Sequence, residues 1–198
     1  MRAVTAGMIR VECGFAFHDI LDFEIREDRN IHTTVRIRGT LSEETGQSPV
    51  LQRLEGKPLS VHTDDRENQE PVFCGFIRTL QISREGNWNM AELEGISGTE
   101  LLDREKKSRS FQDTSMTYKE LVRAVLSDTP GAQVIFHMED RAIGAPVYQY
   151  EETDWEFLKR TASHLNTSLL AVSIQPKPEF HFGLPEGKRR KESAVQVT

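Results

Sequence analysis

Apolar and polar residues alternate along much of the first hundred positions of the chain. Between positions 31 and 38, the odd positions carry Ile, Thr or Val and the even positions carry His, Thr or Arg. This period of two predicts a strand with one buried and one solvated face, because successive side chains of a strand point to opposite sides. Related patterns predict five more strands, at positions 8–13, 17–26, 59–62, 72–83 and 88–96.

Short polar turns separate the predicted strands. The sequence Glu85-Gly86-Asn87 is typical of a tight hairpin turn, and positions 64–70 form a second, acidic turn. Because most strands follow one another closely, we expect antiparallel ladders in a barrel or sandwich. Uninterrupted alternation along 72–83 places Ile77 and Leu80 on opposite faces of the sheet.

Helical spacing replaces the alternation after residue 100. Thr117 and Glu120 are spaced as a capping box, in which each side chain bonds a free backbone N–H at the start of a helix. The apolar face that follows consists of Tyr118, Leu121, Val122, Val125 and Leu126. We expect Pro130 and Gly131 to end this helix.

A second capping box, formed by Thr153 and Glu156, predicts a second helix. Asp154 and Glu156 place negative charge at the positive end of its dipole. Its apolar stripe consists of Trp155, Leu158, Ala162 and Leu165. Asn166 is suited to the left-handed conformation that ends many helices.

The remaining elements of the second half are short. We expect a short helix over 99–106, then a charged connector over 106–110. Strands are predicted at 134–137, 147–150 and 168–174, and a short one at 180–182 within the irregular stretch 176–187.

The change of pattern predicts an α+β protein in three parts. A tube-type antiparallel β-barrel is expected over 1–112 and a small α/β domain over 113–187, with the boundary near 105–116. Positions 188–198, whose last five residues have the pattern of a strand, are expected to begin a further strand or domain.

Composition excludes several classes of protein. The chain has 198 residues and a net charge of −6, which disfavours nucleic-acid binding because phosphate recognition needs a concentrated basic surface. The basic run at 188–191 is better explained as a solvated linker. Cys13 and Cys74 form no CxxC pair and are expected to be free, buried thiols. Neither a secretory signal nor an apolar run long enough to span a membrane is visible.

No histidine pattern predicts a metal site. The six histidines, at positions 18, 32, 62, 137, 164 and 181, include no HExxH or other metal spacing, although residues distant in sequence can converge in a fold. His164 is expected near the end of the second helix. We therefore predict no metal and no cofactor.

Catalytic patterns are also missing. Ser97 lies between glycines but lacks the spacing of a nucleophile elbow. The acidic residues Asp64, Asp65, Glu67 and Glu70 fit a solvated loop tip, and Glu151, Glu152, Asp154 and Glu156 fit the start of a helix. Trp155 fits a core anchor better than a ligand platform. We predict no catalytic residues.

Three stretches carry a resemblance to a known family. Positions 148–166 read YQYEETDWEFLKRTASHLN, positions 110–112 read SFQ and positions 116–122 read MTYKELV. Together with the looser stretches 32–41 and 73–97, they resemble phage late control protein D and the valine-glycine-repeat spike proteins of type VI secretion.

The resemblance implies a mechanical role. In such hubs a tube-type barrel is followed by a small α/β domain, a second barrel and often an oligosaccharide-binding-fold domain and a spike. A trimer then presents six barrels that match a six-fold tail tube above and a three-fold spike below. The resemblance thus implies a homotrimer whose partners are tube and spike proteins, assembled in the bacterial cytoplasm and then part of a virion tail or injection apparatus. The chain ends at Thr198, where the second barrel is expected to begin.

Two other functions stay open on the sequence. One is a tail-associated cell-wall hydrolase whose carboxylates are brought together by the fold, and the other is a β-barrel that binds a glycan or peptide on a wet strand face. The residues do not distinguish a phage tail from a secretion system.

Overall fold

The first half of the chain forms a six-stranded antiparallel sheet. The computed structural model describes residues 9–46, 48–63 and 70–186. The strands are β1 Ile9–Glu12, β2 Asp19–Arg26, β3 Thr34–Leu41, β4 Pro58–Thr63, β5 Pro71–Glu85 and β6 Trp88–Ser97, in the spatial order β1-β4-β5-β6-β3-β2. The sheet curls into a half-barrel, and its described edge strands, β1 and β2, are not paired with each other.

The predicted strands and their antiparallel pairing are confirmed. β5 and β6 are joined by a two-residue turn between Glu85 and Trp88, and Gly86 has a φ of 61°. This left-handed conformation is the one that hairpin turns require and glycine adopts freely. A short helix, α1 (Glu43–Gly46), and a 3-10 helix (Pro49–Arg53) connect β3 to β4. The predicted acidic turn falls largely on 64–69, outside the described residues.

A β-bulge corrects the predicted faces of β5. The pairing with β6 shifts between Ile77 and Thr79, so that Leu80 pairs with Leu93. The extra residue, Arg78, reverses the alternation. Ile77 and Leu80 therefore both pack on the core side, where the uninterrupted pattern had separated them.

The second half is a mixed α/β arrangement. Its elements are a 3-10 helix (Gly98–Asp103), β7 Lys106–Phe111, α2 Tyr118–Leu126, β8 Gln133–Phe136, β9 Val147–Thr153, α3 Asp154–Ser163, β10 Leu169–Val172 and β11 Glu179–Phe182. β11 pairs with β8 in parallel and with β10 antiparallel, and β7 pairs with β9. The prediction of an α+β protein is confirmed.

Both helices begin at the predicted capping boxes. Thr117 and Glu120 cap α2, whose five predicted apolar residues are all buried, and Thr153 and Glu156 cap α3. α2 ends at Leu126, one turn earlier than Pro130 requires, and the Ser127 hydroxyl donates to the Ala124 carbonyl over 2.8 Å. This bond satisfies one of the carbonyls that a helix end leaves free.

The end of α3 matches its prediction in part. Asn166 has a φ of 52°, the left-handed value expected of a helix stop. Leu165 is only half-buried, whereas Phe157 is fully buried and completes the apolar face.

The predicted connector at 106–110 is wrong, because these residues form strand β7. Its side chains alternate between exposed and half-buried positions. Lys107 and Arg109 point inward, where carboxylates neutralise them, and Phe111 packs against the second core. Charged residues in a sequence usually indicate solvent exposure, but Lys107 and Arg109 are inward-facing ion-pair partners.

Two apolar clusters fill the molecule. The first lies on one side of the six-stranded sheet, and its fully buried members include Val35, Ile37 and Leu93. The second surrounds α3, with Trp155 at 1% exposure and Phe157 at 0%. Many of the buried polar side chains of the chain lie between these two clusters.

Candidate functional site

Asn30 joins the six-stranded sheet to the α/β half. It has a φ of 63°, which asparagine tolerates better than most residues. Its backbone N–H donates to the Leu169 carbonyl over 2.8 Å, and its Oδ1 accepts the Leu169 N–H over 2.9 Å. Its carbonyl accepts the Trp155 indole N–H over 3.3 Å. One turn residue thus ties the sheet to both β10 and α3.

Further contacts hold the same joint. The Cys74 N–H donates to the Ser173 carbonyl over 2.5 Å, and the Ser173 hydroxyl donates to Glu27 over 3.4 Å. Gly98 has no side chain at the point where the Lys177 carbonyl approaches, and a Cβ there would lie 2.5 Å from that oxygen. The joint is therefore closely packed, and even one added methyl group would disturb it.

A partly buried hydrogen-bond network lies beside Asn30. The Nδ1 of His32 is 2.9 Å from the Thr99 hydroxyl, and its Nε2 is 3.2 Å from an Asp103 carboxylate oxygen. The Thr153 hydroxyl donates to the same carboxylate. The His32 ring also lies 4.7 Å from the Trp155 ring, centroid to centroid. The network connects the end of β6, the 3-10 helix and the cap of α3.

This network has the hydroxyl–imidazole–carboxylate order of a hydrolase triad. A cleft of about 370 Å³ runs along it and is lined by His32 and Asp103, but Thr99 does not line the cleft. Thr99 and Ser97 are both 0% exposed, and their hydroxyls bond each other over 2.8 Å. Because neither hydroxyl can reach a substrate, the arrangement fits a structural joint.

Burial lowers the pKa of His32 below its ordinary value of 6.5, and the nearby Asp103 carboxylate only partly opposes this. The unfolded chain therefore binds more protons than the folded chain as pH falls through 6.5. The contribution of His32 to the free energy of unfolding is therefore fully present above pH 6.5 and is lost as the pH falls below it.

We expect the free energy of unfolding to fall between pH 7.5 and pH 5, and to fall less in His32→Gln, which cannot titrate. Urea titrations at both pH values measure this difference. Burial also lowers the pKa of His181, so part of the slope should persist in the variant. An equal slope in both proteins would show that His32 does not contribute.

The carboxylate of Asp154 is buried behind β7, at the centre of a cluster of charged and polar side chains, which we call the charged cluster. Asp154 is 2% exposed and accepts bonds from Lys107 over 2.8 Å, Arg109 over 2.6 Å and Gln149 over 3.0 Å. Arg109 also bonds Asp128. Burial opposes the charge of Arg109, but the Asp128 and Asp154 carboxylates outweigh it and raise its pKa. The cluster fixes β7 and β9 to the start of α3.

The face of the sheet opposite the first core is polar. Cross-strand ion pairs join Arg36 to Glu92 over 3.2 Å, Arg38 to Glu85 over 3.0 Å and Arg78 to Glu94 over 3.5 Å. All six side chains are at least one-third exposed, so the pairs contribute little to stability. Their main effect is to keep this face wet and charged.

The candidate carboxylates that the structure describes do not converge in a cleft. Glu152 pairs with Arg160 over 2.7 Å, Glu156 caps α3, and Glu151 is exposed with a φ of 50°. Asp154 is more than a helix-dipole partner, because it is the buried centre of the charged cluster. Asp64, Asp65 and Glu67 lie outside the described residues.

The histidines are dispersed, with one exception. His18 stacks on Trp88 with ring centroids 6.2 Å apart, His62 lies in β4, and His164 caps the end of α3. His137 and His181 meet over 2.8 Å. No group of three or more candidate ligands lies together in the described ranges. The basic run at 188–191 falls outside them.

Both cysteines are free and buried, as predicted. Burial raises the pKa of Cys13 to about 11 and raises that of Cys74 as well. Thiols in this state are poor nucleophiles, since the thiolate is the reactive form. They behave as small core residues.

A family model described as the phage tail baseplate hub (GPD) matches residues 28–165. The chain belongs to this family. The matched residues of this baseplate hub chain run from just before Asn30 to just after α3. They contain the His32 network, the charged cluster and the Asn30, Cys74 and Gly98 side of the joint, whereas the joint partners Leu169, Ser173 and Lys177 lie beyond them. The resemblance in the sequence is thereby confirmed. A search of curated proteins found no significant match.

Solved structures share the fold of the hub chain at low identity. The E. coli c3393 protein, described as a type VI secretion component similar to the T4 tail proteins gp27 and gp5, aligns with a TM-score of 0.60 and 17% identity over 87% of this chain and 48% of its own. A tail protein of Neisseria meningitidis MC58 aligns at 0.63 and 15%, over 88% of this chain and 49% of its own.

A third structure, the 43 kDa tail protein of prophage MuSo2 from Shewanella oneidensis, aligns at a TM-score of 0.66 and 15% identity. The alignment covers 88% of this chain and 52% of that protein. The hub chain thus spans about half of each of these structures. No helix within its described residues has the length and apolarity needed to cross a membrane.

Proposed function

We propose that the chain is a structural hub component of a phage tail baseplate or related contractile injection apparatus, linking a six-fold tail tube to a three-fold spike. The observation that carries the proposal is the family match over residues 28–165, which includes strands β3 to β9 and helices α1 to α3. We further propose a homotrimer for the complete protein, with tube and spike proteins as partners. It would assemble in the bacterial cytoplasm before it enters the tail or apparatus.

The joint supports a mechanical role. A hub has to carry load between partners without flexing between its own parts. Asn30 donates one hydrogen bond and accepts two across the two halves. The His32 network and the close approach at Gly98 connect the same halves. Such a packed, hydrogen-bonded interface resists relative motion of the parts that it joins.

We propose a tube-type unit followed by an α/β unit, divided within the predicted boundary interval of 105–116. The further unit expected from residue 188 lies outside the described residues. The two separate apolar clusters support two units. The pairing of β7 with β9 favours the early end of the boundary interval 105–116, because β7 packs with the second cluster.

We propose that the chain is not an enzyme. Where the described hydroxyl, imidazole and carboxylate come together, the hydroxyls of Ser97 and Thr99 are fully buried, and the cysteines are protected thiols. Degradation of peptidoglycan by the purified chain, abolished by a single carboxylate substitution, would instead support the hydrolase. Saturable binding of a small glycan would support the ligand-binding barrel.

Assembly tests the hub proposal directly. We expect the complete protein to sediment as a trimer in analytical ultracentrifugation and to cap tube ends in negative-stain images with its neighbouring tail proteins. We expect the 198-residue chain alone to be monomeric at micromolar concentration. The proposed ring takes two barrels from each chain, so an interface of about 1,600 Å² would lose half of its contacts when only the first barrel is present. A complete protein that stays monomeric beside its tube and spike proteins would defeat the proposal.

A further inference from the structure

Two histidines meet on the side of the sheet β10-β11-β8 that faces away from the second core. His137 directly follows β8 and His181 lies in β11, so the parallel pairing of these strands brings together residues 44 positions apart. The Nε2 of His137 and the Nδ1 of His181 are separated by 2.8 Å, and the ring centroids by 4.8 Å. We propose that this histidine pair binds a divalent transition-metal ion, Cu²⁺ or Ni²⁺.

The affinity order of the divalent metals favours these two ions. The 2.8 Å separation is that of a hydrogen bond between the two rings, so it shows that the nitrogens are neighbours but fixes no angle at an ion. Ni²⁺ and Cu²⁺ bind nitrogen ligands more tightly than the earlier divalent metals of the first row, and their square-planar or octahedral geometries accept two neighbouring ligands with water at the other positions. Zn²⁺ sites usually have three or four protein ligands, whereas this pair supplies two.

The pair is open to an incoming ion. His137 is exposed and His181 is half-buried. In the structure one ring N–H donates to the other ring, and this hydrogen bond has to break before an ion binds. The exposed His137 ring can then turn so that both lone pairs converge on the ion, while the proton of the donor ring moves to its other nitrogen.

Glu179 adds negative charge on the same face of β11. It precedes His181 by two residues, and side chains two apart in a strand lie on one side. Its Oε2 is buried and has no hydrogen-bond partner in the described structure. No group of three or more candidate ligands lies together in the part of the chain that the structure describes, so we expect water to complete the coordination. Glu179 favours the cation through its charge.

Binding at this site would stabilise the fold. The two ligands come together only when β8 and β11 pair, so the folded chain binds the ion more tightly than the unfolded chain does. A ligand with this preference raises the melting temperature in proportion to the logarithm of its concentration above the dissociation constant.

The metal alone is the probe. We expect calorimetric titration of the purified chain with CuCl₂ or NiSO₄ to show one ion per chain, with a rise in melting temperature, and the electron paramagnetic resonance of Cu²⁺ to show two nitrogen ligands. His137→Ala should weaken Cu²⁺ binding by about tenfold or more, because one of the two nitrogen ligands is lost. His181→Ala should do the same. His164→Ala is the matched control and should bind like the parent chain.

The proposal does not depend on the hub function and can fail separately. Cu²⁺ binding that survives both His137→Ala and His181→Ala would overturn it, as would the absence of saturable binding below about 1 mM. Tighter binding of Zn²⁺ than of Cu²⁺ would overturn the choice of metal. Because His137 is exposed, its substitution should leave the circular dichroism spectrum unchanged, so this variant decides the question even if His181→Ala folds poorly.

Discussion

Replacing Asp154 with alanine is expected to lower the free energy of unfolding by about 3–5 kcal/mol, because one partner of a buried ion cluster is removed and its cations stay behind. Asp154 is 2% exposed, and Lys107 and Arg109 are about one-fifth exposed. Without the carboxylate, both cations keep only the exposed Asp128, which bonds Arg109 and lies 3.7 Å from the Lys107 ammonium. Lys107 thus loses its closer partner, which is 2.8 Å away. The Gln149 amide also loses an acceptor.

Denaturant titration of the variant and the parent chain measures this loss. Glu92→Ala is the matched control, since it removes a carboxylate from the exposed pair with Arg36. The control should cost no more than about 1 kcal/mol, because water and salt screen an exposed pair. Equal losses in the two variants would mean that Asp154 is solvated in solution and that the cluster does not anchor β7.

The elements that could be predicted from the sequence are those with local signals. Both capping boxes, the hairpin turn at Gly86 and the left-handed stop at Asn166 occur at the predicted residues. Each depends on contacts within a few positions of chain, so sequence spacing carries the needed information.

The elements that were missed depend on contacts between distant residues. The sequence predicts a connector in place of strand β7 because Lys107 and Arg109 are charged. Their partner, Asp154, lies 45 or more positions away, so no neighbouring residue indicates the ion pairs. A signal was present, since charged and hydroxyl residues alternate along β7 with period two and lead to Phe111. The β5 bulge at Arg78 has no such signal, because it follows from register against β6.

The joint is also invisible in the sequence. Asn30 lies in a polar stretch between two strands, where an asparagine in a turn is ordinary. Its partners, Trp155 and Leu169, lie 125 and 139 positions away. Only the fold shows that this turn residue connects the two halves. The same holds for His137 and His181, which have no metal spacing in sequence.

Trp155→Ala is the second substitution with a large expected effect, and it probes the joint from the α/β side. Trp155 is 1% exposed, packs edge-on against Phe180 with centroids 5.6 Å apart, and lies against the His32 ring. Removing a fully buried indole leaves a large cavity, and the expected loss of unfolding free energy is about 3–5 kcal/mol. The Asn30 carbonyl would lose its indole donor in addition.

Trp88→Ala provides the matched control, because Trp88 is 56% exposed at the start of β6 and should cost no more than about 0.5–1 kcal/mol. Trp155→Phe separates the two contributions at Trp155, since it restores most of the buried volume but not the N–H. If Trp155→Phe recovers nearly all of the stability, packing against Phe180 and His32 holds α3 in place, and the bond to Asn30 is secondary. A loss below about 1 kcal/mol in Trp155→Ala would mean that the indole is not buried in solution. In that case the joint could not transmit load between the sheet and α3, and the mechanical proposal would lose its structural support.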